Sequence, residues 1–144
     1  MNKVTLTITG PSSQEGKAWE KTLANMYEAW AKRNEAQCDQ QAMPDGVVLT
    51  MQGKYLDGLG LEHGIHRQMR KSPFDSQGRR FTVFAQVIVG ALPKSDEVIR
   101  SYAFDPYQLV TDHRTNAQVR DLNAVLDGDF GDLWQLRAGA GAGN

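Results

Sequence analysis

The chain has 144 residues, 40% of them hydrophobic, with 16 Lys and Arg against 17 Asp and Glu and a formal net charge of -1. That length suits one compact domain with a real core and excludes a second large one. The near balance of charge excludes attraction of the whole molecule to a polyanion, so any contact with RNA has to come from local clustering of basic residues. Cys38 is the single cysteine and cannot form an internal disulfide. The first residues lack the basic-then-apolar pattern of a secretory signal, and no apolar run approaches the roughly 18 residues of a membrane span. A reducing, cytoplasmic setting without membrane contact is the expectation.

Val4-Thr5-Leu6-Thr7-Ile8 alternates apolar and polar residues and is halted by Gly10-Pro11, which predicts a strand and a turn. Ser12-Ser13-Gln14-Glu15 reads as a capping box, with Ser12 as the cap and Glu15 reaching back to it. Trp19, Leu23, Met26, Tyr27 and Trp30 then recur at helical spacing, so one long helix lays a stripe of large side chains on a sheet. A polar stretch from Glu35 to Ala42, the turn Pro44-Asp45-Gly46 and the apolar Val47 to Met51 predict a hairpin. Gly58 and Gly60 limit Lys54 to Leu61 to a short or irregular helix.

His63 to Met69 and Phe81 to Val89 are predicted strands joined by an exposed loop, Ser72 to Gly78. Phe81, Val83, Ala85, Val87 and Val89 share one face of the second strand, and Thr82, Phe84, Gln86 and Ile88 the other; both faces are expected to be largely covered. Ala91 to Glu97 is a polar connection, followed by extended segments at Ile99 to Phe104 and Tyr107 to Val110, punctuated by Asp105-Pro106. Val119, Leu122, Val125 and Leu126 suggest a helix closed by Asp127-Gly128, with a second short one over Phe130 to Leu136. The alternating Gly and Ala after Arg137 have little to bury, and residues 138–144 are expected to form a flexible tail. Together these elements make an α+β fold, a mixed or antiparallel sheet packed on a long N-terminal helix with short helices at the C-terminal end.

Arg67, Arg70, Lys71, Arg79 and Arg80 flank the loop, with Asp75 the sole acid among them and Phe74 and Phe81 interleaved. Basic groups meet phosphates and aromatic rings meet bases, which is the chemistry of single-stranded RNA recognition. His63 and His66 have a ligand-like spacing, but no closely spaced set of four ligands accompanies them, so no metal and no cofactor is expected. Asp127-Gly128-Asp129 lacks the oxygen spacing and terminal glutamate of a calcium loop. Ser72 and Ser76 have no evident His and Asp support, and no nucleophile, base and electrostatic stabiliser can be named together. An enzyme is therefore not expected.

Several stretches resemble bacterial peptide chain release factors of type two. They are Glu15, Trp19, Met26-Tyr27 and Trp30; Gly64-Ile65-His66-Arg67; Arg70-Lys71-Ser72-Pro73-Phe74; Ile99-Arg100-Ser101-Tyr102; Thr111-Asp112-His113-Arg114; and Ala124-Val125-Leu126-Asp127-Gly128. The resemblance covers nearly everything from Val4 to about Arg137 and implies the fused portions that recognise the stop codon. Residues 1–137 would be that codon-recognition domain. The family's N-terminal helical domain and its hydrolytic domain would be missing, the latter replaced by the short linker near 91–97. No Gly-Gly-Gln, the family's hydrolytic tripeptide, occurs in the sequence.

The resemblance further implies that Ser72 and Phe74, with Pro73 stiffening the loop, meet the second codon base, and that Thr82 meets the third. Phe81 stands where the family usually has a histidine that stacks between bases. Glu15 corresponds to the glutamate at the first base, and Ser12 and Ser13 replace glycines at the same helix tip. The implied partner is the ribosomal decoding site, with its messenger stop codon and ribosomal RNA, read as UGA or UAA. A separately encoded hydrolase or regulator is a further implied partner. The alternative is a protein-interaction or regulatory domain that keeps the scaffold and has lost codon reading.

Overall fold

A computed structural model describes residues 2–134. Its elements are β1 (Lys3–Thr9), α1 (Gln14–Arg33), β2 (Gln37–Met43), β3 (Gly46–Gln52), a 3-10 turn (Asp57–Glu62), β4 (Gly64–Lys71), β5 (Arg80–Val89), β6 (Val98–Ala103), β7 (Leu109–Asp112), β8 (Ala117–Val119) and α2 (Leu122–Leu126). One eight-stranded sheet holds the strands in the order β2-β3-β1-β5-β4-β6-β7-β8. Only β4 and β6 pair in parallel; the remaining neighbours are antiparallel. The fold is α+β, as the sequence predicts. The expected tail at 138–144 and the end of the last short helix lie outside the described residues.

The helix α1 lies along one face of the sheet. Trp19, Leu23, Met26 and Tyr27 are fully buried and Trp30 nearly so, in a core shared with Leu6, Ile8, Leu49, Met51 and Val87. Burial of such side chains contributes about 1.5–3 kcal/mol each. The entry to the helix differs from the expected capping box. Ser13, not Ser12, is the cap, and its hydroxyl accepts from the Gly16 backbone N–H at 3.1 Å. The turn before the helix is tied down by the buried Glu20, whose carboxylate accepts from the Gly10 N–H at 2.6 Å. Glu15 is therefore free to reach elsewhere.

At the other end of the core, α2 closes on Gly128, whose φ is +89° and whose absent Cβ would lie 2.3 Å from the Trp30 nitrogen. Only glycine allows that backbone so close to α1. Val119, expected in the helix, instead pairs with Val110 in the three-residue strand β8. The segment after β5 spans residues 90–97 without regular structure and leads past β4 to β6. Gln86 pins it by donating to the Ser95 carbonyl at 2.9 Å and accepting from the Ser95 N–H at 3.2 Å.

The expectation that both faces of β5 are covered is wrong. Val83, Ala85, Val87 and Val89 are buried beneath α1, but Thr82 and Phe84 are exposed and Gln86 and Ile88 half-buried on the other face. Among the described residues the one long helix covers a single side of the sheet, and the alternation of β5 places its second row on the other side.

Candidate nucleic-acid interface

The hairpin of β4 and β5 projects the loop Ser72 to Gly78 beyond the sheet, in a register that sets Arg70 opposite Phe81 and Lys71 opposite Arg80. Pro73 and Phe74 are exposed at its turn, Phe74 by 47%. Ser72 is not exposed as expected; only 4% of it is accessible. Its hydroxyl donates to Glu15 Oε2 at 2.7 Å and accepts from the Phe74 N–H at 3.1 Å. The physical reason is strand parity: Ser72 continues the row His66, Gln68, Arg70 that faces α1, and the first turn of α1 ends there in a carboxylate. The structure thus brings together Ser72 and Glu15, two predicted site residues 57 positions apart. Glu15, Arg70, Pro73 and Phe74 also line a small cavity of about 30 Å³ between helix tip and loop.

Ser12 and Ser13 are exposed at the same helix tip, Ser13 with its hydroxyl engaged as the cap. Phe81 and Thr82 are both exposed but, as sequence neighbours in a strand, point to opposite faces. Phe81, 37% exposed, lies on the side of α1 and Ser72; Thr82 lies on the open side. The end of β5 therefore divides the predicted residues into two groups, Glu15, Ser72 and Phe81 on one side and Thr82 on the other.

Four of the five cations are held by neighbours. Arg79 pairs with Asp75 at 2.6 Å. Arg80 donates to Asp105 Oδ1 at 2.5 Å and to the Asp105 carbonyl at 2.8 Å. Arg70 stacks its guanidinium 4.8 Å above the Phe104 ring, and Arg67 donates to Ser101 Oγ at 2.9 Å. The backbone N–H of Lys71 also donates to the Asp105 carboxylate, at 2.9 Å to Oδ2. Asp75 is not the sole acid near the loop: Asp105 arrives from the end of β6, a neighbour in space and not in sequence. No local signal could have found it.

Beneath the site runs a buried polar network that the sequence did not announce. Arg100 makes a bidentate pair with Glu62, at 2.6 and 2.9 Å, and lies 3.5 Å from Asp112, all three being essentially inaccessible. Glu62 also accepts from the Tyr27 hydroxyl and the Trp134 indole, each at 2.9 Å. Burial pushes the Glu62 carboxyl up, but the Arg100 charge and hydrogen bonds outweigh it and hold the group down at about 2. His66 lies in the core, not facing RNA or a metal, with Nε2 2.8 Å from the Glu62 carbonyl and Nδ1 2.8 Å from the Tyr102 hydroxyl. A carbonyl can only accept, so Nε2 carries the proton and Nδ1 accepts from Tyr102. Burial depresses the His66 imidazole to about 4. His63 turns away, with Nε2 2.9 Å from the Pro93 carbonyl, and Nδ1 accepts from the Val89 N–H.

The chain packs its sheet against a long helix and docks a paired-strand loop at the helix tip. The PCRF domain model matches residues 2–87, and the chain belongs to that family. Its relatives include peptide chain release factor 2 of Corynebacterium glutamicum (strain R), 36% identical over 98 residues that make up 62% of this chain and 26% of the relative. Peptide chain release factor 2 of Corynebacterium diphtheriae is 35% identical over 89 residues, 56% of this chain and 24% of the relative. The chain thus spans about a quarter of these relatives' length. Among solved structures, RF2 of Thermus thermophilus superposes with a TM-score of 0.79 at 22% identity, over 95% of this chain and 68% of that one, a likeness of fold. No helix among the described residues is long and apolar enough to cross a membrane.

Proposed function

We propose that this chain is a codon-reading module of translation termination that occupies the ribosomal decoding site at UGA or UAA and does not itself release the peptide. The observation that carries the reading is the meeting of Ser72 with Glu15 at 2.7 Å beside the exposed Pro73 and Phe74. A hydroxyl can donate to or accept from either purine, and a carboxylate beside it can take over its proton donor or yield it. Phe81, at the dividing edge of β5, offers a ring face for stacking a base on the α1 side, while Thr82 offers a hydroxyl to the next base on the other. Residues 91–97 take the place of the hydrolytic insertion, and no Gly-Gly-Gln occurs in the sequence to replace it. The module acts on termination by occupancy, as a competitor of a complete factor or as an adaptor for a separate hydrolase or regulator.

One observation favours the second reading, a regulatory protein-interaction domain that no longer reads codons. The Ser72 hydroxyl is already satisfied on both sides, and Arg79 and Arg80 are already paired. A reconstituted release assay separates the two. On the decoding reading the chain adds no peptidyl-tRNA hydrolysis, and it slows release by a complete factor at UGA and UAA without affecting UAG. Equal effects at all three codons, or none, favour the second reading.

A further inference from the structure

The half of the sheet that α1 leaves uncovered carries a large aromatic that the core does not use. Phe84 sits in the middle of β5, 46% exposed, directly opposite Arg67 on β4 and two residues from Thr82 on the same face. Two residues along a strand place Phe84 about 6.8 Å from Thr82. Arg67 is held in place rather than left to wander. Its Nε donates to Ser101 Oγ, and that hydroxyl is 2.6 Å from Nε2 of the exposed His113. A guanidinium fixed through one nitrogen keeps its terminal NH2 groups available in a defined plane.

The charge around Phe84 is one-sided. The residues that alternate outward on β1, β5, β4, β6 and β7 include Lys3, Arg67, Lys71 and Arg80 and no carboxylate; the acid of the same face, Asp39, lies on the edge strand β2, beyond β1 and β3. Asp105 reaches the rim of the face and is taken by Arg80. In a chain whose net charge is -1, that distribution is a local positive field on an otherwise balanced molecule. Its other members include the hydroxyl side chains Thr7, Thr9 and Thr82, while Ile65, Met69 and Ile88, its apolar members beside Phe84, are half-buried, so the face is not the continuous exposed apolar patch that a protein partner would bury. One exposed ring, fixed cations and hydrogen-bonding side chains on an open sheet are what a single-stranded RNA uses, the ring for stacking and the cations for phosphates.

We infer that the open face takes a single-stranded RNA segment, with one base stacked on Phe84 and the adjoining phosphate held by Arg67 and Lys71. On the decoding reading, on which this placement rests, that base is the messenger nucleotide following the one met by Thr82.

Two titrations of the full chain test it, one with a labelled single-stranded RNA octamer and one with 70S ribosomes displaying UGA. Phe84→Thr keeps a strand-forming residue, and Phe84→Tyr keeps the ring. The inference expects Phe84→Thr to weaken both complexes about tenfold and Phe84→Tyr to leave them unchanged. Octamer binding should fall steeply with salt. Ser72→Ala should weaken the ribosome complex alone. Octamer affinity that is the same in wild type and Phe84→Thr overturns the inference, as does a Phe84 effect seen only on binding of another protein. Phe84-dependent octamer binding without any recognition of UGA ribosomes sustains the RNA face and overturns the decoding reading instead.

Discussion

The Ser72 hydroxyl and the Glu15 carboxylate, 57 residues apart in sequence, share a 2.7 Å hydrogen bond that docks the tip of the β4–β5 loop on the first turn of α1. A hydrogen bond to a charged group contributes about 1.5–3 kcal/mol, and a second one from the Phe74 N–H locks the turn that presents Pro73 and Phe74. Ser72→Ala should therefore loosen the loop as well as remove a reading group. The expected result is faster amide exchange at Phe74 and a loss of about 1–2 kcal/mol in denaturant stability. A double-mutant cycle with Glu15→Gln should give a coupling of at least about 0.5 kcal/mol, because the two groups act as one contact.

The pair Arg100 and Glu62 is the interior counterpart of that contact. Arg100→Ala leaves the buried Glu62 carboxylate without its guanidinium, while Asp112 keeps Arg114, and should cost about 3–5 kcal/mol in urea or thermal unfolding. Replacing Glu62 by Gln, which keeps hydrogen-bonding capacity but removes the charge, should cost less.

Acid should destabilise the fold in two stages. The folded-state value of His66 is about 4 against an ordinary 6.5, so the unfolded chain binds the proton first and stability falls as pH drops from 6.5 towards 4. The shift corresponds to about 3 kcal/mol at most. Glu62, about 2 when folded against an ordinary 4.5, adds a second loss as pH drops from 4.5 towards 2. Unfolding free energies measured between pH 7 and 3 should show both stages, and His66→Gln should abolish the upper one.

Asp105 governs the charge available at the loop, since it takes the Arg80 guanidinium and the Lys71 N–H. Asp105→Asn should raise affinity for single-stranded RNA severalfold at low ionic strength and steepen its salt dependence, as one more cation becomes available to phosphate. Unchanged RNA affinity would place Arg80 outside the contact.

The helix α1 and strands β3 and β5 were legible because long segments with a clear period announce themselves, as Trp19 to Trp30 and Phe81 to Val89 do. The site was legible in composition and only partly in geometry. Glu15 and Ser72 were both named, but the contact between them depends on strand parity and on a cap shifted by one residue, from Ser12 to Ser13. Asp105 and the Arg100 cluster went unread because their partners come from distant elements. Strand β8 has three residues, too few for a period, and Val119 was absorbed into the neighbouring helix. The exposure of Phe84 was missed because an apolar residue in a strand looks alike whether or not a second layer covers it.

The most direct measurement is equilibrium binding of the full chain to 70S ribosomes displaying UGA, UAA, UAG or a sense codon, with Ser72→Ala and Phe74→Ala as loop variants. The decoding account predicts at least about tenfold tighter binding at UGA and UAA than at UAG or the sense codon, with that preference lost in both variants, a difference of about 1.4 kcal/mol. Equal affinity for all four complexes, or a preference that survives both substitutions, would contradict it.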